Sequence, residues 1–222
     1  MNRIVNKLSL TLLITLLAIA APAMAQVPPA DVVTIASVSG SGVVDVPVYI
    51  RDTSGTSLGI DQAFGSRIQS YSLRVTYSPA SAVQSITFSR AGITAPLTPA
   101  FENVPASPGA IALLDTFDEV TNLVPFTSNA ALPGNQVGHL LVTIAPGTLP
   151  GSTITLTLDP TLTQLTDEGG TPATVETVAN QRLQLVNGAI LVEAGTIPTL
   201  SQWALGILAV ALALVALRLR LT

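Results

Sequence analysis

Between residues 26 and 196 the chain alternates hydrophobic and polar positions with period two. Val44, Val46, Val48 and Ile50 alternate with Asp45, Pro47 and Tyr49. Tyr71, Leu73, Val75 and Tyr77 alternate with Ser72, Arg74 and Thr76. The same pattern runs through Leu140, Val142 and Ile144, and again through Ile154, Leu156 and Leu158. Successive side chains of a strand point to opposite faces, so each run predicts a strand with one face in a core and one in water. Val32 to Val38, Val83 to Phe88, Ile111 to Phe117 and Leu183 to Val192 are further strand candidates, rich in β-branched residues. Turn signals separate them: Ser39-Gly40-Ser41-Gly42, Ser54-Gly55, Ser78-Pro79, Pro133-Gly134-Asn135, Pro150-Gly151 and Glu168-Gly169-Gly170. No helical period competes. The expectation is an all-β sandwich of eight or nine strands.

The two ends break this pattern. Arg3 and Lys7 precede an uncharged apolar run from Leu8 to Ala20, followed by Ala23-Met24-Ala25. That order predicts a signal peptide over residues 1–25, cleaved after Ala25, with Ala23 and Ala25 as the small residues read by the peptidase. At the other end Ile197 to Leu217 carries no charge over 21 residues, and Arg218 and Arg220 follow. About 20 apolar residues suffice to cross a bilayer as a helix. Positive residues after a span stay on the cytoplasmic side. Residues 197–222 are therefore expected to form one transmembrane helix with an arginine stop, holding the 26–196 body outside.

Composition narrows the function. The chain has no cysteine and one histidine, so a disulfide scaffold and a cysteine-ligated metal are excluded. The 171 residues of the middle segment suffice for one core. They hold five arginines, no lysine and thirteen acids, a net −8. Such a body is repelled by nucleic acid and by anionic headgroups.

Candidate chemistry is sparse. Gly55-Thr56-Ser57-Leu58-Gly59 matches the nucleophile-elbow string, with Asp115 and His139 following in hydrolase order. No helix pattern follows Gly59, so Ser57 is expected in a plain turn. A serine hydrolase ranks a distant third among functions, and the chain is expected not to be an enzyme. His139 alone cannot build a metal site. Asp115, Asp118 and Glu119 are weak calcium candidates, and Asp159, Asp167 and Glu168 flank a second acidic loop. Neither group has EF-hand spacing, so solvated loop acids are the simpler expectation and no cofactor is expected beyond a possible calcium ion. Sugar binding usually needs an exposed aromatic platform. Tyr49, Phe64, Phe101 and Phe126 are the aromatics expected at the surface, while Tyr71, Tyr77, Phe88 and Phe117 occupy core-like positions. The long loops, Arg51 to Arg67 and Ala91 to Gly109, offer further surface.

Two stretches carry resemblances. Ile197-Pro198-Thr199-Leu200-Ser201-Gln202-Trp203, then the apolar run and the arginines, resembles the IPTL-type C-terminal sorting signal of bacterial surface proteins. It is similar in layout to the PEP-type signals handled by exosortases. That family usually shows Glu-Trp-Gly after the serine, where this chain has Gln202, Trp203 and Ala204. The resemblance implies Ile197, Pro198, Thr199, Leu200, Ser201 and Trp203 as a sorting motif. It further implies a sorting or processing enzyme as partner, and a cell envelope or surface location in a Gram-negative-like bacterium, with release after processing as one outcome.

The body resembles the bacterial cohesin module, a jelly-roll-like sandwich. The likeness rests on Gly42-Val43-Val44-Asp45-Val46-Pro47-Val48-Tyr49-Ile50, on Ser70 to Tyr77 followed by Ser78-Pro79, on Gly138 to Ile144, and on Asn187 to Val192. Serine stands at position 78 where the family has aspartate. The resemblance implies a non-catalytic module that binds a dockerin-like, calcium-binding helical partner through one sheet face. A carbohydrate-binding module of the cell surface or extracellular matrix is the alternative, with a polysaccharide as partner.

Overall fold

The computed structural model describes residues 29–118, 120–167 and 174–195, together with Gly206, Ile207, Val210 and Ala211. The signal peptide, the sorting motif from Ile197 to Trp203, Glu119, Glu168, Arg218 and Arg220 lie outside the described residues.

The described residues form fourteen strands. They are β1 (Asp31–Ile35), β2 (Val38–Gly40), β3 (Val43–Arg51), β4 (Ser70–Ser78), β5 (Val83–Arg90), β6 (Phe101–Asn103) and β7 (Ala106–Ser107). Then follow β8 (Ala110–Thr116), β9 (Asn135–Ile144), β10 (Thr153–Leu158), β11 (Gln164–Thr166), β12 (Val175–Thr177), β13 (Leu183–Val186) and β14 (Gly188–Val192). One sheet has five strands in the order β13-β1-β3-β9-β5. The other has nine: β12-β11-β4-β10-β14-β2, with β8 on the far side of β4 and β6 and β7 paired to β8.

The period-two runs face inward as expected. Val44, Val46, Val48 and Ile50 from β3 and Leu140 and Val142 from β9 are buried. They pack against Tyr71, Leu73 and Val75 of β4, Ile111 and Leu113 of β8 and Ile154 and Leu156 of β10. Each fully buried aliphatic contributes roughly 1.5–3 kcal/mol relative to exposure, so these two inner faces hold the sandwich together. Tyr71 and Phe117 form an aromatic pair with ring centroids 6.2 Å apart.

The strand count exceeds the expected eight or nine for two physical reasons. First, two segments read as single strands each divide between the sheets. Val32–Val38 breaks at Ala36 and Ser37, leaving β1 in the five-stranded sheet and β2 in the other. Leu183–Val192 breaks at Asn187 into β13 and β14 in the same way. The divided strands run side by side, β13 parallel to β1 and β14 parallel to β2. They cross where Gly188 lies against Ile35 and Ala36, with no room for a side chain. Second, segments read as loops contribute the short strands β6, β7, β11 and β12.

Two aromatic expectations change. Phe126 is buried, at 6% exposure, because the 117–134 segment folds back over the core. Phe88 is only half-buried and lies against Gly138 of β9.

The sandwich has two unlike poles. The chain enters at Asp31 on the pole that carries the long connections 52–69, 91–100 and 117–134. It leaves after Val192 on the opposite pole, among the short turns 41–42, 79–82, 108–109 and 145–152. Main-chain hydrogen bonds fix this exit: Gly151 N donates to Val192 O at 2.8 Å and Glu193 N to Gly40 O at 2.8 Å. We call these the far pole and the tail pole.

Candidate functional site

The hydrolase constellation does not assemble. Ser57 sits half-exposed in the far-pole loop, between the buried Thr56 and Leu58. His139 lies on the outer face of the five-stranded sheet, with Nδ1 2.9 Å from Asp45 Oδ2. Asp115 is fully buried on the inner face of β8 and accepts the Tyr71 hydroxyl at 2.5 Å. The three groups thus have separate partners in separate layers.

The proposed calcium groups also separate. Asp115 points into the core, where burial pushes its carboxyl up to about 6 and the Tyr71 hydrogen bond pulls it back. Asp118 is exposed and accepts the main-chain N–H groups of Val120 and Thr121, which hold its carboxyl below the usual range. Asp159 closes a similar local turn onto Thr161 and Leu162. Asp167 is buried and accepts Thr174 N. Among the described residues no group of three acidic, histidine or cysteine side chains is placed to hold a metal ion.

The structure does gather acids that the sequence pattern left apart. Asp31, Asp52 and Glu176 are all fully buried at the far pole. Asp31 Oδ1 accepts Thr53 N at 2.7 Å, Asp52 Oδ2 accepts Ile60 N at 2.8 Å, and Glu176 Oε1 accepts Leu58 N at 3.2 Å. These bonds pin the 52–60 loop to β1 and β12. The remaining oxygens of Asp31 and Glu176 find no other donor and face each other. Two carboxylates out of water cannot both be charged, so one keeps its proton. Burial and the neighbouring Glu176 push Asp31 up to about 9, and burial raises Glu176 as well. Burial raises Asp52 too. The only sequence hint was position: Asp31 and Asp52 flank hydrophobic strands where the chain enters or leaves the core.

Binding surface is supplied by the sheets' outer faces. On the nine-stranded sheet, β10 shows Thr153, Thr155 and Thr157, all exposed, beside Arg74 and Thr76 of β4 and Ala112 and Leu114 of β8. The register aligns Thr155 with Ser78, Thr157 with Thr76, and Arg74 with Ala112. The result is a broad face of hydroxyls and small side chains with one arginine near its centre. Phe64 and Phe101 are exposed at the far pole, as expected, but come from separate elements; Tyr49 is half-exposed on the other sheet.

The architecture is that of a cohesin-like sandwich. The chain resembles the sixth cohesin of scaffoldin B from Acetivibrio cellulolyticus, solved with a mutant Cel5 dockerin, at 20% identity and a TM-score of 0.53, over 74% of this chain and 99% of that one. It resembles the third ScaC cohesin of the same organism, solved with a ScaB dockerin, at 17% identity and a TM-score of 0.51, over 74% and 99%. The seventh ScaB type I cohesin of Pseudobacteroides cellulosolvens matches at 16% identity and a TM-score of 0.50, over 77% and 96%. At such identities the likeness is one of fold. Residues 197–221 match the IPTL-CTERM motif. Among curated proteins no sequence matches the chain.

Proposed function

We propose that this protein is an exported, surface-displayed, non-catalytic module that binds another protein through the outer face of its nine-stranded sheet. The partner would be a dockerin-like helical module. The observation that carries this reading is the cohesin-like sandwich with an exposed, hydroxyl-rich row along β10 and β4 of the nine-stranded sheet. The match of residues 197–221 to the IPTL-CTERM motif supports display and a sorting or processing enzyme at the tail. The uncharged run from Ile197 to Leu217 and the arginines at 218 and 220 support anchorage in the membrane, with the body outside. Residues 1–25 would be the export signal.

The test uses the detergent-solubilised chain as bait against envelope and secreted proteins of its own organism, with calcium or with chelator. The expected result is a partner retained only with calcium and lost in the variants Arg74→Glu and Thr155→Arg. Retention that ignores both substitutions would remove the sheet face from the proposal. Retention that ignores the chelator would remove the dockerin-like partner.

A further inference from the structure

We infer that the tail pole is a lipid-contact surface: the turns 41–42, 79–82, 108–109 and 145–152 rest on the bilayer in which the tail is anchored. This rests on the tail being a membrane anchor, as proposed above.

The first observation is distance. The last strand ends at Val192. The uncharged run begins at Ile197, so residues 193–196 are all that separates them. Four extended residues span at most about 14 Å. The turns at this pole are bound to the chain's exit itself, through Gly151 N to Val192 O and Glu193 N to Gly40 O. Ala145 N donates to Ala82 O and Ile144 N to Gly42 O, each at 2.8 Å, which ties the neighbouring turns into the same surface. So short a linker brings this pole down onto the headgroups wherever the helix enters.

The second observation is charge. Segments 75–89, 103–114, 140–158 and 183–192 contain no charged residue. Among the described residues the tail pole carries only Asp45, which faces His139 on the next strand, and Glu193, at the start of the linker. The other described acids lie at mid-height or at the far pole. The repulsion expected between a −8 body and anionic headgroups therefore acts at the distance of the far pole. With β9 ten residues long, that is on the order of 30 Å, several Debye lengths at physiological salt.

The third observation is apolar exposure. Leu149 is 74% exposed at the tip of the 145–152 turn and Val43 is 65% exposed at the start of β3. Both stand among prolines, glycines and small hydroxyl residues that lose little on meeting a headgroup layer. Exposed apolar side chains on an uncharged, membrane-apposed surface gain by entering the interface.

The chain has no cysteine, so single labels can be placed cleanly. The experiment reconstitutes the full chain into phosphatidylethanolamine–phosphatidylglycerol vesicles. Leu149→Cys, Val43→Cys or Phe64→Cys carries an environment-sensitive fluorophore. Flotation is read first, then quenching by doxyl-labelled lipid and by iodide in water. The expected result is a blue-shifted emission at 43 and 149 that doxyl lipid quenches, and a water-like emission at 64 that iodide quenches. Flotation with water-like emission at both 43 and 149 would overturn the inference while leaving the anchor intact. Failure to float would overturn the anchor and the inference together.

Discussion

Replacing Asp31 by asparagine should make the protein more stable at pH 8 and flatten its dependence on pH. Asp31 is fully buried, its Oδ1 accepts Thr53 N at 2.7 Å, and its other oxygen has only Glu176 to face. Its folded pKa lies near 9 against an ordinary 3.8. Between those values the unfolded chain has released a proton that the folded chain keeps. Stability contributed at this site is therefore greatest at low pH and falls as pH rises toward 9, by about 1.4 kcal/mol per pH unit for one whole proton. From pH 5 to pH 8 that is about 4 kcal/mol, and about 2 kcal/mol if relaxation and water penetration halve the penalty. Asparagine keeps the Thr53 contact through its carbonyl and offers Glu176 a permanent N–H donor in place of the shared proton. Urea unfolding of residues 26–196 at pH 5 and pH 8 measures this. With a slope of roughly 2 kcal/mol per molar urea, the wild-type midpoint should fall by about 1–2 M across that range and the variant's by much less. Parallel curves for the two proteins, or a variant less stable than wild type at pH 8, would refute the shared-proton argument.

Other expectations follow from single contacts. Tyr71→Phe removes the only donor to Asp115, a buried acid already raised to about 6. It should cost about 1–3 kcal/mol above pH 6 and much less at pH 5, where the acid is protonated, and equal costs at both pH values in urea titrations would contradict this. Gly188→Val places a Cβ 2.7 Å from Ile35 Cγ2 and 2.8 Å from Ile35 O at the sheet crossing. It should cost about 2–3 kcal/mol and lower the melting temperature by roughly 4–12 °C; an unchanged melt would show that the two strands do not cross so closely. Ser57→Ala should leave turnover of a simple acyl ester where the wild type has it, at background, and an activity abolished by this change would revive the hydrolase reading.

The inward rows of β3, β4, β9 and β10 were legible because one face of each meets the core and the other meets water, which writes period two into the residues. What was not legible is where a strand changes sheets. Val32–Val38 runs through Ala36 and Ser37 with no glycine or proline, since both sheets ask the same of an inward side chain, and in Leu183–Val192 the pair Asn187-Gly188 reads as an ordinary turn rather than as a change of sheet. The close approach of Gly188 to Ile35 is what marks the crossing, and that is a contact between residues 153 positions apart. The buried acids were hidden for a related reason. Asp31, Asp52 and Glu176 look like ordinary strand-end acids, and an acid is normally placed in water. They enter the interior because each accepts a main-chain N–H from a loop that the core itself cannot satisfy. Phe126 lies in a loop, where side chains usually face solvent, but Val124 and Phe126 of the 117–134 connection cover the far-pole end of the core.

Net charge shows how far an average can mislead about a surface. A body with five arginines and thirteen acids reads as one that anionic membranes repel, and that holds for a sphere of uniform charge. Here the acids are sorted by the topology. Strands that end at the far pole deliver Asp52, Glu102 and Asp115 there, and the connections beyond them add Asp61 and Asp118. The short turns of the other pole are proline, glycine, serine, threonine, alanine and leucine. The sorting also sets the geometry of recognition. The rows Thr153–Thr157 and Ser72–Ser78 run from pole to pole, so on the lipid-contact inference above they would stand upright, edge-on to the membrane. A partner arriving along the envelope surface would then meet that face directly.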